Sequence, residues 1–346
     1  MSTSAESTGL HQSEPIDITL EQVQNIIQSH MGDNTVVVSF KALPIHGFSA
    51  FTSTRTFSVH IKDGSPPQPT PPPTYATNTL TTEAHLISML VKQTSVPHTA
   101  VLKLDVSRKL VPYHYLLLSS PSGVSLAQTK ATLTERQKAL VDLRLGMYYK
   151  QVHLEVQNDW FGLPSQEKDE LYNWQEAFTY LLESLLHEAK ELQVDVDIPF
   201  TDVRKYLSRA IGSFLFDDCE VPSLVSFTGD DDSIFIAVGE HEEDVKITSL
   251  IPVSHAIWGD PLLESVFIND PSPAFLEGYG GNPILFRRQR TKRLWYTLFL
   301  ALVVVVQTKK GWVSMALHLQ SDETKVAWAR ETIGICIEKL KDAPCY

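Results

Sequence analysis

The spacing of hydrophobic positions in the first 118 residues changes repeatedly between a helical and a strand period. Val23, Ile26 and Ile27 recur at helical spacing after Asp17 and Thr19, either of which could be the cap, and this predicts an amphipathic helix near the start of this region. The segments TVVVSF and TRTFSVHIK are β-branched and aromatic, as strands are, and we expect a turn at Gly47 between them. The predicted helices span residues 16–30 and 81–93, and the predicted strands span residues 35–40, 54–62, 102–104 and 113–118.

Two stretches of this region do not fit either period. Residues 65–75 contain six of the 20 prolines of the chain, and proline has no amide proton for a sheet hydrogen bond. This stretch therefore predicts a stiff extended loop, with a PxxP-type ligand as the alternative. Residues 1–15 are rich in Ser, Thr and Glu and predict a disordered tail without the features of a signal peptide.

From residue 133 onward the pattern is mainly helical. Two apolar segments, 223–238 and 245–253, flank an acidic turn at 240–244, which predicts one hairpin among the helices. The predicted helices of this part span residues 134–156, 172–192, 201–214, 291–307 and 322–340.

This order of elements predicts an α+β protein with the two-lobed layout of protein kinase-like folds. After the tail, residues 16–118 would form a small antiparallel-sheet N-lobe, and residues 119–346 a mainly helical C-lobe with one embedded hairpin. The length of 346 residues suits either two lobes of one fold or two small domains.

Composition excludes several classes of protein. The 29 Lys and Arg residues against 41 Asp and Glu residues give a net charge of −12, which argues against nucleic-acid binding. The most apolar run, residues 294–306, is shorter than the roughly 18–20 residues that span a bilayer, so we expect no membrane span. Cys219, Cys336 and Cys345 have no CxxC spacing, which indicates neither a disulfide framework nor a zinc site and favours a cytoplasmic location.

Several short motifs follow one another along the chain. They are residues 112–118 followed by Pro121 and Gly123, Leu145-Gly146 with His153, Phe161-Gly162, residues 174–178, residues 258–264, and Phe275 with residues 278–280. Their order and spacing resemble the aminoglycoside phosphotransferase and choline kinase-like family, in particular its fungal members. The resemblance implies a protein kinase-like fold and phosphoryl transfer from a nucleotide to a small molecule, with Mg²⁺ as cofactor.

The residues at the catalytic positions of that family are different in this chain. The resemblance places Ser226 at the family's loop histidine, Thr228 at the aspartate that acts as base, Ser233 at the asparagine that binds Mg²⁺, and Pro252 at the metal-binding aspartate after the hairpin. A threonine hydroxyl is not a base near pH 7, and proline has no side-chain oxygen. Loss of a general base alone costs a factor of about 10²–10⁴ in rate. We therefore expect the phosphotransfer motifs to be degenerate.

The nucleotide-binding lysine of the N-lobe has two interpretations. In the first, the segment VHIK resembles a kinase VAIK motif, so that Lys62 pairs with Glu83 and contacts phosphates. In the second, residues 54–62 are the family's second strand and Lys62 is an exposed strand-end residue. The phosphate-binding position then falls near Thr70, in the proline stretch, where no lysine occurs.

Other residues near the predicted catalytic loop are candidates for a replacement chemistry. Asp230, Asp231 and Asp232 are either a relocated Mg²⁺ site or a solvated acidic turn, since adjacent side chains point in different directions. His255 lies three residues after Pro252 and is a candidate pocket residue. The basic cluster of residues 287–293 precedes an apolar helix, an arrangement that would suit a diphosphate substrate and equally a solvated helix start.

Three functions remain open from the sequence. The leading hypothesis is a pseudokinase-type protein that binds a small-molecule ligand or assists another protein in small-molecule metabolism, with a protein partner left open. The second is a repurposed Mg²⁺-dependent enzyme acting on a diphosphate, such as a non-standard terpene cyclase in secondary metabolism. The third is a divergent active phosphotransferase that uses Lys62, Glu83 and Asp231. The cofactor is likewise open, with Mg²⁺ as the candidate.

Overall fold

The computed structural model of the chain describes most of the sequence, including nearly all of the predicted elements. The predicted tail, residues 65–74 of the proline stretch and the candidate base Thr228 lie outside the described residues. The described ranges are residues 18–43, 47–62, 75–169, 171–194, 199–227, 229–241, 244–250, 252–310 and 322–344.

The N-lobe is an antiparallel sheet with one helix on each face. The helices are α1 (Leu20–Met31) and α2 (Leu80–Gln93), and the strands are β1 (Val37–Leu43), β2 (Gly47–Thr52), β3 (Thr56–Lys62), β4 (Val101–Asp105) and β5 (His114–Ser119). Across the sheet the strand order is β1-β2-β3-β5-β4. The predicted turn at Gly47 is wrong, because Gly47 begins β2 and pairs with Leu43. The segment ending at Lys62 is therefore the third strand of the sheet, not the second.

The alternation of side chains along β3 decides what each face of the sheet contacts. Phe57, Val59 and Ile61 are buried in a cluster that also contains the apolar face of α1. Because successive strand residues point to opposite faces, His60 and Lys62 face the other way, toward α2. The alternation of side chains along β3 therefore places Lys62 on the face of the sheet that α2 covers.

The C-lobe is mainly helical, with two small sheets among the helices. Its helices are α3 (Leu126–Thr129), α4 (Glu135–Glu155), α5 (Trp174–Glu191), α6 (Phe200–Gly212), α7 (Pro273–Tyr279), α8 (Arg287–Lys309) and α9 (Asp322–Asp342). Its strands are β6 (Val124–Ser125), β7 (Ser223–Val225), β8 (Phe235–Val238), β9 (Val245–Ser249) and β10 (Ile257–Gly259). The predicted hairpin is present as β8 and β9, which β6 extends, whereas the β7–β10 pair and helix α7 were not predicted.

Two glycines allow α4 and α7 to pack at very short range. A Cβ on Gly146 of α4 would lie 2.1 Å from the carbonyl oxygen of Phe275, and a Cβ on Gly278 of α7 would lie 2.0 Å from that of Leu143. No larger residue fits at either position without moving a helix. The motif residues at 145–146 and 275–280 are thus brought together as one helix crossing.

A second group of motif residues meets around Trp174, which is fully buried. Its Cη2 atom lies 2.9 Å from the position of a Cβ on Gly259, and its ring packs against Phe161. Gly162 and Trp258 form a β-bridge beside it. These contacts join the start of α5 to the strand before the loop at 260–264.

Helix α8 forms the centre of the C-lobe core. Its residues from Trp295 to Val306 are almost all buried, and it packs between α5 and α9. A helix that is apolar on every side is normally a core helix or a membrane span. Among the described residues, no helix is both long and apolar enough to cross a membrane.

Candidate functional site

An ion pair between β3 and α2 lies where the N-lobe meets the C-lobe loop of residues 253–256, the region that we call the interlobe cleft. The Nζ atom of Lys62 lies 2.8 Å from Oε1 of Glu83, and the side chains are 18% and 1% exposed. Thr79 caps the N-terminus of α2 and thereby fixes the first turn, on which Glu83 lies. The structure therefore brings together the two residues that the VAIK interpretation pairs, and Lys62 is not an exposed strand-end residue.

Glu83 is held ionised by its neighbours. Burial alone would raise its pKa, but the charge of Lys62 and the hydrogen bond with His60 outweigh burial and lower the pKa to about 2. Nδ1 of His60 lies 3.1 Å from Oε2, so both carboxylate oxygens have partners. An anion this well paired is a fixed element of the site and does not act as a base near pH 7.

Asn78, which sequence reasoning missed, connects this pair to the C-lobe. Its backbone oxygen accepts a hydrogen bond from Lys62 Nζ, and its backbone N–H donates to the oxygen of Ser254 at 2.7 Å. The side-chain amide donates to the oxygens of Val253 at 2.8 Å and Ala256 at 2.9 Å. The only signal in the sequence is its place directly before the cap of α2, which does not reveal a contact with residues 175 positions away.

His255 lies on the C-lobe side of the same cluster. Its Nδ1 atom shares a hydrogen bond of 2.7 Å with the hydroxyl of Tyr75, and the two rings stack at 12°. The pKa of His255 is lowered to about 4, and burial is the main cause. The positive charge of Lys62 also lowers this pKa, and its effect is larger than the opposite effect of Glu83. The imidazole is therefore neutral near pH 7, and it is available to share a proton only through the Tyr75 hydroxyl or its second nitrogen.

The loop at the predicted catalytic position begins with Ser226, whose contacts are internal. The N–H and Oγ of Ser226 donate to the two carboxylate oxygens of Glu264 at 2.8 and 2.9 Å. Glu264 is 1% exposed, and Nε2 of His153 lies 3.5 Å from it. Sequence reasoning placed Glu264 in a motif but gave it no role. Its role here is to fix the start of the loop.

The three consecutive aspartates of this loop do not converge. Asp230 is buried and accepts hydrogen bonds from the N–H and Oγ of Ser233 at 2.9 and 2.8 Å. Asp231 forms an ion pair with Lys130 at 2.7 Å, and Asp232 is exposed. Within the described part of the chain, no group of three His, Cys, Asp or Glu side chains is arranged to hold a metal ion.

The residues present do not fit the Mg²⁺ that a kinase-like fold implies. Pro252 lies beside the loop, since its Cδ atom is 3.8 Å from the position of a Cβ on Gly229, but its side chain offers no ligand atom. The hydroxyl of Ser233 already donates to Asp230. Mg²⁺ requires several oxygen ligands in near-octahedral geometry, and the described residues around this loop do not supply them.

The basic cluster at the start of α8 mainly stabilises the C-lobe. Lys292 is buried and forms ion pairs with Asp218 at 2.6 Å and with Asp260. The guanidinium of Arg293, also buried, donates to the backbone oxygen of Phe267 at 3.0 Å. These two cations are therefore engaged in structural contacts, away from the residues of the cleft.

Comparison with solved structures identifies the fold. A protein from Ralstonia eutropha described as a candidate aminoglycoside phosphotransferase superposes with a TM-score of 0.63 at 11% identity, over 95% of this chain and 100% of that chain. Aminoglycoside phosphotransferase APH(4)-Ia in a ternary complex with AMP-PNP and hygromycin B gives 0.57 at 16% identity, over 92% and 98%. Spectinomycin phosphotransferase APH(9)-Ia bound to AMP gives 0.52 at 11% identity, over 94% and 99%.

The chain has the protein kinase-like fold of the aminoglycoside phosphotransferases. The predicted α+β class, antiparallel-sheet N-lobe and helical C-lobe are thus confirmed. No protein-family model and no curated protein sequence matches the chain. At such low identities the likeness establishes the kinase-like fold alone, and function must be argued from the residues of the cleft.

Proposed function

We propose that this protein binds a small-molecule ligand in the interlobe cleft and does not transfer a phosphoryl group to or from it. The proposal rests on the coexistence of an assembled Lys62–Glu83 pair with a Ser233 hydroxyl that donates to Asp230 and a proline at position 252. Phosphoryl transfer depends on positioning and on neutralising phosphate charge, for which kinase-like folds use metal ions. In this proposal the protein retains the Lys62–Glu83 pair, which can bind an anionic ligand, but not the side chains that would hold the metal ions for phosphoryl transfer.

Lys62 has capacity for a ligand. An ammonium group has three donors, and the described contacts use one for Glu83 and one for the backbone oxygen of Asn78. The third donor suits a carboxylate, a phosphate or a strongly polarised carbonyl oxygen. The ligand is therefore expected to carry at least one such acceptor and to bind without a divalent cation.

The described contacts do not support the diphosphate-enzyme hypothesis. Such chemistry needs Mg²⁺ and cations beside the leaving group, but Asp230 and Asp231 bind Ser233 and Lys130. The buried cation Lys292 neutralises two aspartates of the C-lobe. We also infer that the divergent-phosphotransferase hypothesis is less favoured, because Asp231 is an ion-pair partner with no free role as a base.

The proposal is tested with a thermal-shift screen of nucleotides and anionic metabolites, once in EDTA and once in Mg²⁺. We expect at least one compound to stabilise the protein equally in both buffers, since a ligand at 100 times its Kd adds about 2.7 kcal/mol. The Lys62→Met variant should lose the shift. The matched control Lys103→Met removes an exposed lysine from β4 of the same sheet and should keep it.

Two results would overturn the proposal. One is Mg²⁺-dependent turnover of ATP by the purified protein that the Lys62→Met variant abolishes, which would establish phosphoryl transfer. The other is a screen in which every stabilising compound acts equally on the wild type and on Lys62→Met, which would place ligand binding elsewhere.

A further inference from the structure

A short segment before α2 lies between the two lobes and contacts both. It contains Tyr75 and Asn78, and it faces the C-lobe loop of residues 253–256, which follows β9. The same segment leads directly into the helix that carries Glu83. Its contacts therefore connect the position of α2 to the position of the C-lobe loop.

Asn78 makes its C-lobe contacts to three different residues of that loop. The backbone N–H binds Ser254, and the two protons of the side-chain amide bind Val253 and Ala256. Asn78 is only 6% exposed, so water does not compete for these donors while the segment is packed against the loop. Separating the segment from the loop would lose three hydrogen bonds, each of which makes a modest net contribution to stability.

Tyr75 adds an aromatic anchor to the same loop. It is fully buried, and its hydroxyl is bonded to His255. Its ring also packs edge-on against Phe227 and Phe299, with centroids 5.9 and 6.2 Å apart. Tyr75 thus belongs to the core of the C-lobe, although it precedes a helix of the N-lobe in the chain.

We infer that Tyr75 and Asn78 form an interlobe latch, which fastens α2 to the C-lobe loop and holds the Lys62–Glu83 pair assembled whether or not the cleft contains a ligand. The link to the pair is direct, because the backbone oxygen of Asn78 accepts a hydrogen bond from Lys62. In protein kinases the equivalent pairing is a controlled step that depends on the position of the helix. In this protein the latch holds α2 in one position relative to the C-lobe loop whenever the chain is folded.

The inference is tested by amide hydrogen exchange on the ligand-free protein, and so does not depend on the proposed function. We expect Asn78→Ala to accelerate exchange by about tenfold or more on both sides of the latch, in peptides covering α2 and in peptides covering residues 252–260. The matched control is Thr79→Ala, which removes the cap of α2 but no contact with the C-lobe loop. It should accelerate exchange in α2 alone.

A second variant keeps the test informative if Asn78→Ala does not fold. Tyr75→Phe removes only the hydroxyl bonded to His255 and preserves the ring contacts. We expect faster exchange at residues 252–260 and faster acylation of Lys62 by a small amine-reactive reagent. Acceleration confined to α2 in Asn78→Ala, as in the Thr79→Ala control, would overturn the latch, as would an unchanged acylation rate of Lys62 in Tyr75→Phe.

Discussion

Glu264 binds Ser226 through both of its carboxylate oxygens, one to the backbone N–H at 2.8 Å and one to the hydroxyl at 2.9 Å. This buried pair fixes the start of the loop that follows β7. The position of the loop therefore depends on a carboxylate that lies 38 residues further along the chain.

Replacing Glu264 by Gln should destabilise the protein by about 1–3 kcal/mol, because one Ser226 donor then faces an NH₂ group. Ser226→Ala removes only one of the two donors and should cost less. Urea unfolding measures both effects. Glu277→Gln, on the exposed side of α7, is the control and should stay within about 0.5 kcal/mol of the wild type. Equal stability of Glu264→Gln and Glu277→Gln would contradict the structural role of Glu264.

Replacing Lys62 by Met should lower the free energy of unfolding by about 3 kcal/mol, since a buried carboxylate loses its strongest partner. The pKa of Glu83 should rise in the variant, because burial then dominates. The double variant Lys62→Met with Glu83→Gln should recover part of the loss, as no unpaired charge remains. If the double variant is less stable than Lys62→Met alone, the ion pair is not the source of the effect.

The free energy of unfolding should fall as the pH falls from about 6.5 to about 4, in part through His255. Its pKa is lowered from 6.5 to about 4 in the folded state, so the unfolded state binds more protons in this window. The difference of 2.5 pH units corresponds to about 3 kcal/mol at most. Denaturant titrations at several pH values measure it.

The contribution of His255 is isolated by comparison with His255→Asn, which does not titrate and should show a shallower loss in the same window. Identical pH profiles for wild type and His255→Asn would show that the imidazole is not buried in its neutral form.

Substituting Ala for Gly278 should destabilise the protein by several kcal/mol, because the added Cβ would lie 2.0 Å from the backbone oxygen of Leu143. Gly334→Ala is the matched control. Gly334 lies within α9 with nothing within 4 Å of an added Cβ, and alanine favours a helix by about 1 kcal/mol over glycine. Thermal unfolding should therefore show opposite shifts for the two variants, and shifts of the same sign would refute the close helix crossing.

Much of the architecture could be predicted from the sequence, because long amphipathic helices have a strong period. Helices α4 and α5 lie within two residues of their predicted limits, and the hairpin of β8 and β9 was expected. Strand β2 was missed because it offers little hydrophobic contrast: only Phe48 and Ala50 are buried in it. Its omission made the position of Lys62 in the sheet ambiguous.

The candidate site was harder to predict than the fold. The pairing of Lys62 with Glu83 follows a local pattern and was one of two interpretations, whereas the contacts of Asn78 join residues about 175 positions apart. A side-chain amide directly before a helix has an ordinary local explanation as a turn residue. Nothing in the periodicity of a sequence indicates that such a residue contacts a distant loop.

The cluster of Trp174, Gly259 and the Gly162–Trp258 bridge has a consequence for how proteins of this shape are recognised. These residues belong to the motifs by which the sequence resembles the family, and they pack the C-lobe without a described contact to Lys62 or Glu83. A resemblance that depends on these residues indicates a shared fold. Catalytic residues in such proteins can be replaced without any change in these packing residues. The activity of each protein therefore has to be measured and does not follow from its resemblance to a family.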